Sequence, residues 1–125
     1  MAQWIVDGNN VFGSRPDGWW NDRAAAARRL VEEVARWQPT DGRPVTVVFD
    51  GPGAVTTSDV EVIVTRHRGR DAADREIEEL VADRYGEDPD LVVVTSDRGL
   101  IDRLPPGVRV VGARQFLAHL ASGPD

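Results

Sequence analysis

Three short, predominantly apolar runs, each leading to an aspartate, set the tightest limits on this chain. Trp4-Ile5-Val6 leads into Asp7-Gly8-Asn9-Asn10, Val45-Thr46-Val47-Val48-Phe49 into Asp50-Gly51, and Leu91-Val92-Val93-Val94 into Thr95-Ser96-Asp97. Short, mostly β-branched runs of this kind suit strands covered on both faces, as in a parallel sheet with helices on each side. In open α/β sheets a ligand sits just beyond the carboxyl ends of such strands. Asp7, Asp50 and Asp97 all fall there.

Between these runs the pattern changes period. Residues 8–20, rich in glycine, asparagine and proline, read as a loop ending in Trp19-Trp20. Asn21-Asp22 then suits the N-cap of a helix over about 22–38, whose apolar stripe is Ala27, Leu30, Val31, Val34 and Trp37. Pro39 and Gly42 stop it, and after the strand at 45–49 residues 51–58 form a loop. Val60, Val62 and Val64 alternate with Glu61, Ile63 and Thr65, a pattern for a partly exposed strand near a sheet edge. The basic run Arg66-His67-Arg68-Gly69-Arg70 leads into a helix over about 71–85, with a turn at 86–89. After the strand at 91–94, a short helix carrying Leu100, Ile101 and Leu104 is cut off by Pro105-Pro106. Residues 108–111 form a fifth strand, Phe116, Leu117 and Leu120 mark a closing helix, and a Ser-Gly-Pro-Asp tail follows. Strands alternating with helices give a three-layer α/β/α domain with a mainly parallel central sheet, and residues 1–125 read as one such domain.

Composition narrows the chemistry. Cysteine is absent, which excludes a disulfide framework and thiolate metal sites. All 15 basic side chains apart from the histidines are arginine, so lysine nucleophiles, Schiff bases and the phosphate-binding lysine of a P-loop are excluded. The lack of lysine also disfavours a receiver-like phosphoacceptor domain. No glycine-rich dinucleotide fingerprint follows the first strand. The net charge of −6 argues against nucleic-acid binding by bulk positive charge. Without an apolar run near the ~20 residues of a membrane helix, or a basic-then-apolar leader, no membrane partner and a cytoplasmic location are expected.

The carboxylates carry the functional reading. On the helix at 71–85, Ile77, Leu80 and Val81 face the sheet, and Asp74 lies on the same stripe one turn before Ile77. Glu76, Glu79 and Asp83 project from the other side. Asp71 suits a helix cap as well as a site. Asp7 and Asp50 each precede glycine, an ordinary turn pair, and Ser96-Asp97 also suits a cap for the short helix after it. Taken together, three strand-end aspartates and Asp74 would crowd negative charge along one sheet edge, a conflict that a divalent cation relieves. An all-oxygen donor set favours Mg²⁺ or Mn²⁺ over zinc, and such an ion suits phosphodiester hydrolysis. Asn9 reads either as a holder of a metal-bound water or phosphate oxygen or as a turn residue. Arg66, Arg68, Arg70 and Arg75 would steer an anionic backbone to the acidic site, or else form a solvated loop. Trp19 and Trp20 suit packing more than base stacking, and neither His67 nor His119 reads as a ligand.

The segments Asp-Gly-Asn-Asn after the first strand, Val-Val-Phe-Asp-Gly, Gly-Arg-Asp-Ala-Ala-Asp-Arg-Glu-Ile and Val-Val-Thr-Ser-Asp together resemble the YacP-like NYN domain, a branch of the PIN-like nucleases. The resemblance spans roughly residues 3–104 in the family's motif order. It implies a PIN-like α/β/α fold and an endoribonuclease using one or two Mg²⁺ or Mn²⁺ ions. By motif, Asp7 and Asp97 would be the core metal ligands, Asp50 and Asp74 would complete the catalytic cluster, and Asn9 would take the family's asparagine position. RNA is the implied partner, with ribosome association and a homodimer both left open. The expectation is a metal-dependent ribonuclease leaving 3′-hydroxyl and 5′-phosphate ends. The alternatives are a non-catalytic RNA- or ribosome-binding module of the same fold and a small-molecule phosphatase or phosphotransferase.

Overall fold

A computed structural model describes residues 3–37, 44–51 and 60–122. The described elements run in the order β1 (Trp4–Asp7), α1 (Gly8–Gly13), a 3-10 turn (Trp19–Asn21), α2 (Arg23–Trp37), β2 (Val45–Phe49), β3 (Glu61–Val64), α3 (Ala72–Arg84), β4 (Val92–Val94), α4 (Arg98–Arg103), β5 (Arg109–Val111) and α5 (Ala113–Ser122). The strands form one sheet in the order β3-β2-β1-β4-β5. Every pairing is parallel, with Asp7 opposite Val48, Val6 opposite Val94 and Phe49 opposite Val64. The three-layer α/β/α arrangement expected from the sequence is the one observed.

Alternation along the strands divides the core in two. Val6, Val47, Phe49, Val92 and Val94 pack against Val11 and Phe12 of α1, the stripe Ala27, Leu30, Val31 and Val34 of α2, and Phe116 of α5. Ile5, Val48 and Val93 face the other way, against Ala73, Ile77 and Val81 of α3 and Leu100 of α4. Because both faces are covered, the central strands are apolar at successive positions, which is why they read as unbroken runs. β3 is the edge strand that its alternation suggested, with Glu61 and Val64 exposed.

The segment at residues 8–20, expected to be a loop, instead holds α1 and the start of the 3-10 turn. α1 begins immediately after Asp7, and the Asp7-Gly8 pair is a strand-to-helix junction rather than a turn. Gly8 is required there by packing: a Cβ would stand 2.5 Å from the Phe49 ring and 2.8 Å from the Val48 carbonyl oxygen. Val11 and Phe12 are buried, and the Arg15 guanidinium donates to both carboxylate oxygens of Glu33 at 2.7 and 2.8 Å, tying the end of α1 to α2. Six residues with one apolar pair are too few to show a helical period, so tertiary contacts decide this element. Asp22 does cap α2, accepting from the Ala25 N–H at 3.0 Å. Pro39 and Gly42, nearly all of the loop at 51–58 and most of the C-terminal tail lie outside the described residues.

Candidate active site

The strand order reverses at β1. The chain passes from β1 through β2 to β3 on one side and places β4 and β5 on the other. The crevice beyond the carboxyl ends of β1 and β4 is therefore the topological switch point, where open α/β sheets bind ligands. Asp7 ends β1 there, and Asp97 stands three residues beyond β4.

Short hydrogen bonds stitch this crevice together. The buried Thr95 hydroxyl donates to Oδ2 of Asp7 at 2.9 Å and accepts from the Asp97 backbone N–H at 3.1 Å. The Asn10 side-chain carbonyl accepts the Ser96 N–H at 2.8 Å, and the Ser96 hydroxyl oxygen accepts the Ala113 N–H at the head of α5. Asn9 reaches the opposite way, accepting the Asp50 N–H at 2.8 Å. The two asparagines thus fasten the ends of β4 and β2 to the start of α1. Asn9 makes a backbone bond, as its turn reading required, but across 41 positions of sequence rather than within a turn.

Asp7 is only 3% exposed. Burial is the main reason its carboxyl is pushed up to about 7; Asp74 and Asp97 push the same way, while the Thr95 hydroxyl and the nearby Asn10 N–H oppose them. Asp74 sits half-buried in the first turn of α3. Its pKa is raised to about 6, first by desolvation and then by the Asp97 charge, with a side-chain hydrogen bond to Asp97 adding to the rise and Arg103 opposing it. Asp97 also caps α4, accepting from the Leu100 N–H at 3.1 Å. A cap and a site are not exclusive, because a carboxylate has two oxygens and about four lone-pair sites.

Asp7, Asp74 and Asp97 are therefore brought together as one interacting group. Asp50 stands one strand further out at the end of β2, pairs with Arg23 at 3.5 Å, and is not among the charges that shift Asp7 or Asp74. Asp71 is the N-cap residue of α3 but makes no side-chain cap bond, and its charge adds to the rise at Asp74. Arg66, Arg68, Arg70 and Arg75 are exposed, with no ion-pair partner among the described residues. Trp19 packs edge-on to Trp20 and against Phe12, while Trp20 is 61% exposed.

Three contributors escaped sequence reasoning. Thr95 and Asn10 act through tertiary bonds that no local pattern records. Arg103 reaches from α4 to Asp74 at 3.4 Å and Glu78 at 3.0 Å. Among the described residues, His67, Glu76 and Glu79 offer ligand atoms within 4.8 Å of one another. Glu76 and Glu79, expected only on the outer side of their helix, and His67, not expected as a ligand, belong together.

The donor chemistry at the switch point fits a hard cation. Three carboxylates, two of them reluctant to ionise in the absence of a counter-charge, are an oxygen-only set. Such a set suits Mg²⁺ or Mn²⁺, which is usually bound by one or two carboxylates with the rest of its shell as water.

The sequence matches the family model of the YacP-like NYN domain over residues 4–122. The crystal structure of a mutant of Rae1 (YacP) from Bacillus subtilis superposes with a TM-score of 0.77 at 30% identity, covering 98% of this chain and 76% of that one. No protein among curated sequences matches.

Proposed function

The chain belongs to the YacP-like NYN domain family of the PIN-like nuclease superfamily, and on that premise we propose that it is a metal-dependent endoribonuclease. Family membership supports an RNA-acting nuclease; the electrostatics of the switch-point crevice support the finer reading. The observation that carries it is Asp7, a buried carboxyl whose charge this fold opposes, in one group with Asp74 and Asp97.

In this reading Asp7, Asp74 and Asp97 hold the ion, Asp7 and Asp97 as its direct ligands. A bound Mg²⁺ or Mn²⁺ supplies neutralisation of phosphate charge and a water of lowered pKa. Thr95 and Asn10 fix the spacing of the β1 and β4 ends and so aim the carboxylates. Asp50, held by Asn9, orients water or a further ion at the outer rim. Arg66, Arg68, Arg70 and Arg75, which have no ion-pair partner among the described residues, bind the RNA backbone. Cleavage leaves 3′-hydroxyl and 5′-phosphate ends.

Incubating a labelled RNA pool with the protein in Mn²⁺ tests this. Fragments appear with metal, vanish with chelator, and fall about 100-fold or more in Asp97→Asn, the scale of removing one electrostatic stabiliser from an active site. RNA that stays whole in Mn²⁺ yet is retained on a filter would replace the enzyme with a binding module. Whole RNA together with phosphate released from small esters would replace it with a phosphatase.

A further inference from the structure

A second group of ligating atoms stands apart from the aspartates, where the sheet's β3 edge meets the outer side of α3. The His67 Nε2 lies 2.7 Å from a Glu79 carboxylate oxygen, and the ligand atoms of His67, Glu76 and Glu79 all fall within 4.8 Å of one another. The Thr65 hydroxyl, on a residue that is itself buried, donates to Glu76 at 3.0 Å and accepts the His67 backbone N–H at 3.1 Å. Thr65 therefore orients the Glu76 carboxylate, as outer-shell groups do at metal sites generally, and pins the backbone that carries His67.

We propose that His67, Glu76 and Glu79 bind a borderline divalent transition-metal ion, of the Zn²⁺ type, that clamps the arginine-bearing segment 66–70 to α3. The donor set selects the ion. Imidazole with two carboxylates suits zinc, whereas Mg²⁺ prefers oxygen alone. A tetrahedral ion with bonds near 2.0–2.1 Å holds neighbouring ligands about 3.3 Å apart. That lies between the 2.7 Å contact and the 4.8 Å limit of the trio, so small side-chain rotations seat it. The Glu79 side chain, 60% exposed, is free to make them and leaves a face open to water.

The consequence concerns the arginines. The segment is anchored at Thr65, whose N–H donates to the Phe49 carbonyl oxygen, and at Gly69, whose carbonyl oxygen accepts the Ala72 N–H. Gly69 turns the chain with a φ of +99°. His67 lies midway, between Arg66 and Arg68. An ion there fixes where those two side chains start, independently of any ion among the aspartates. The inference holds whether or not the protein cuts RNA.

The chain has two histidines, and His119 is an exposed residue of α5, so imidazole nitrogen resonances report on the site without ambiguity. In ¹⁵N-labelled Asp7→Asn/Asp97→Asn protein, which lacks the direct ligands of the first site, ZnCl₂ is expected to shift the His67 ring nitrogens with 1:1 saturation. MgCl₂ at equal concentration leaves them in place, and the His119 ring is unmoved by either. Adding Glu76→Gln and Glu79→Gln keeps His67 observable and abolishes saturation, with backbone amide dispersion in the same samples confirming the fold. A His67 ring indifferent to ZnCl₂, or one responding equally without the two glutamates, would overturn the proposal and leave a plain His–Glu ion pair.

Discussion

At the residue scale, Asp7 is a carboxyl group buried against its own preference. The pKa of Asp7 rises from 3.8 in the unfolded chain to about 7 in the fold. The native state therefore keeps a proton that the unfolded chain releases between about pH 4 and 7. The stability this confers is full below about pH 4 and is lost as pH rises through about 7, a loss on the order of 3–4 kcal/mol. Urea unfolding in chelator is expected to show wild type losing stability relative to Asp7→Asn across that window; parallel profiles would refute the assignment. Thr95 opposes the rise by donating to the ionised carboxylate. Thr95→Val is expected to move the acidic limb of the pH–rate profile upward and to cost about 1–3 kcal/mol for the polar groups it orphans. These residues were unequally legible. Asp7 and Asp97 could be read because one closes an apolar run and the other stands three residues beyond one, and Asp74 because it shares a helical stripe with Ile77. Thr95 and Asn10 could not, since their bonds span 88 and 86 positions.

At the element scale, long or strongly periodic segments read well and short ones did not. α2 shows its stripe over 15 residues, and its observed bounds, Arg23–Trp37, lie just inside those expected. α1 has six residues, beginning and ending in glycine, and carried only turn signals, yet burial of Val11 and Phe12 overrides them. The junction before it admits no side chain. Gly8→Ala is expected to lower the unfolding free energy by about 1–3 kcal/mol through overpacking against Phe49 and the Val48 carbonyl. A differential scanning trace matching wild type would show that this close approach is not needed. His67, Glu76 and Glu79 mark the other limit of pattern reading. The two glutamates, one turn apart, were visible on α3, but nothing local announced that the β3 edge would bring a histidine to them.

At the scale of the whole molecule, topology concentrates function. Buried runs implied a parallel sheet, but the position of β1 between β2 and β4, which creates the crevice, follows from the crossovers and is not written in any one segment. Charge is divided as well. In a chain of net −6, Arg66, Arg68, Arg70 and Arg75 stay without an ion-pair partner among the described residues. If these hold RNA phosphates, Arg66→Ala/Arg68→Ala/Arg70→Ala weakens retention of single-stranded RNA. It should also flatten the dependence of log affinity on log salt by about 0.7 for each phosphate no longer neutralised. An unchanged slope would place the RNA elsewhere.

The central claim, that Asp7, Asp74 and Asp97 fold into one site for a hard divalent ion, is tested most directly by calorimetric titration with Mg²⁺, which the His67 cluster should ignore. Saturable binding to the wild-type chain at neutral pH is expected, and none to Asp7→Asn/Asp97→Asn. Identical heats from the two proteins, or no binding to either, would contradict it.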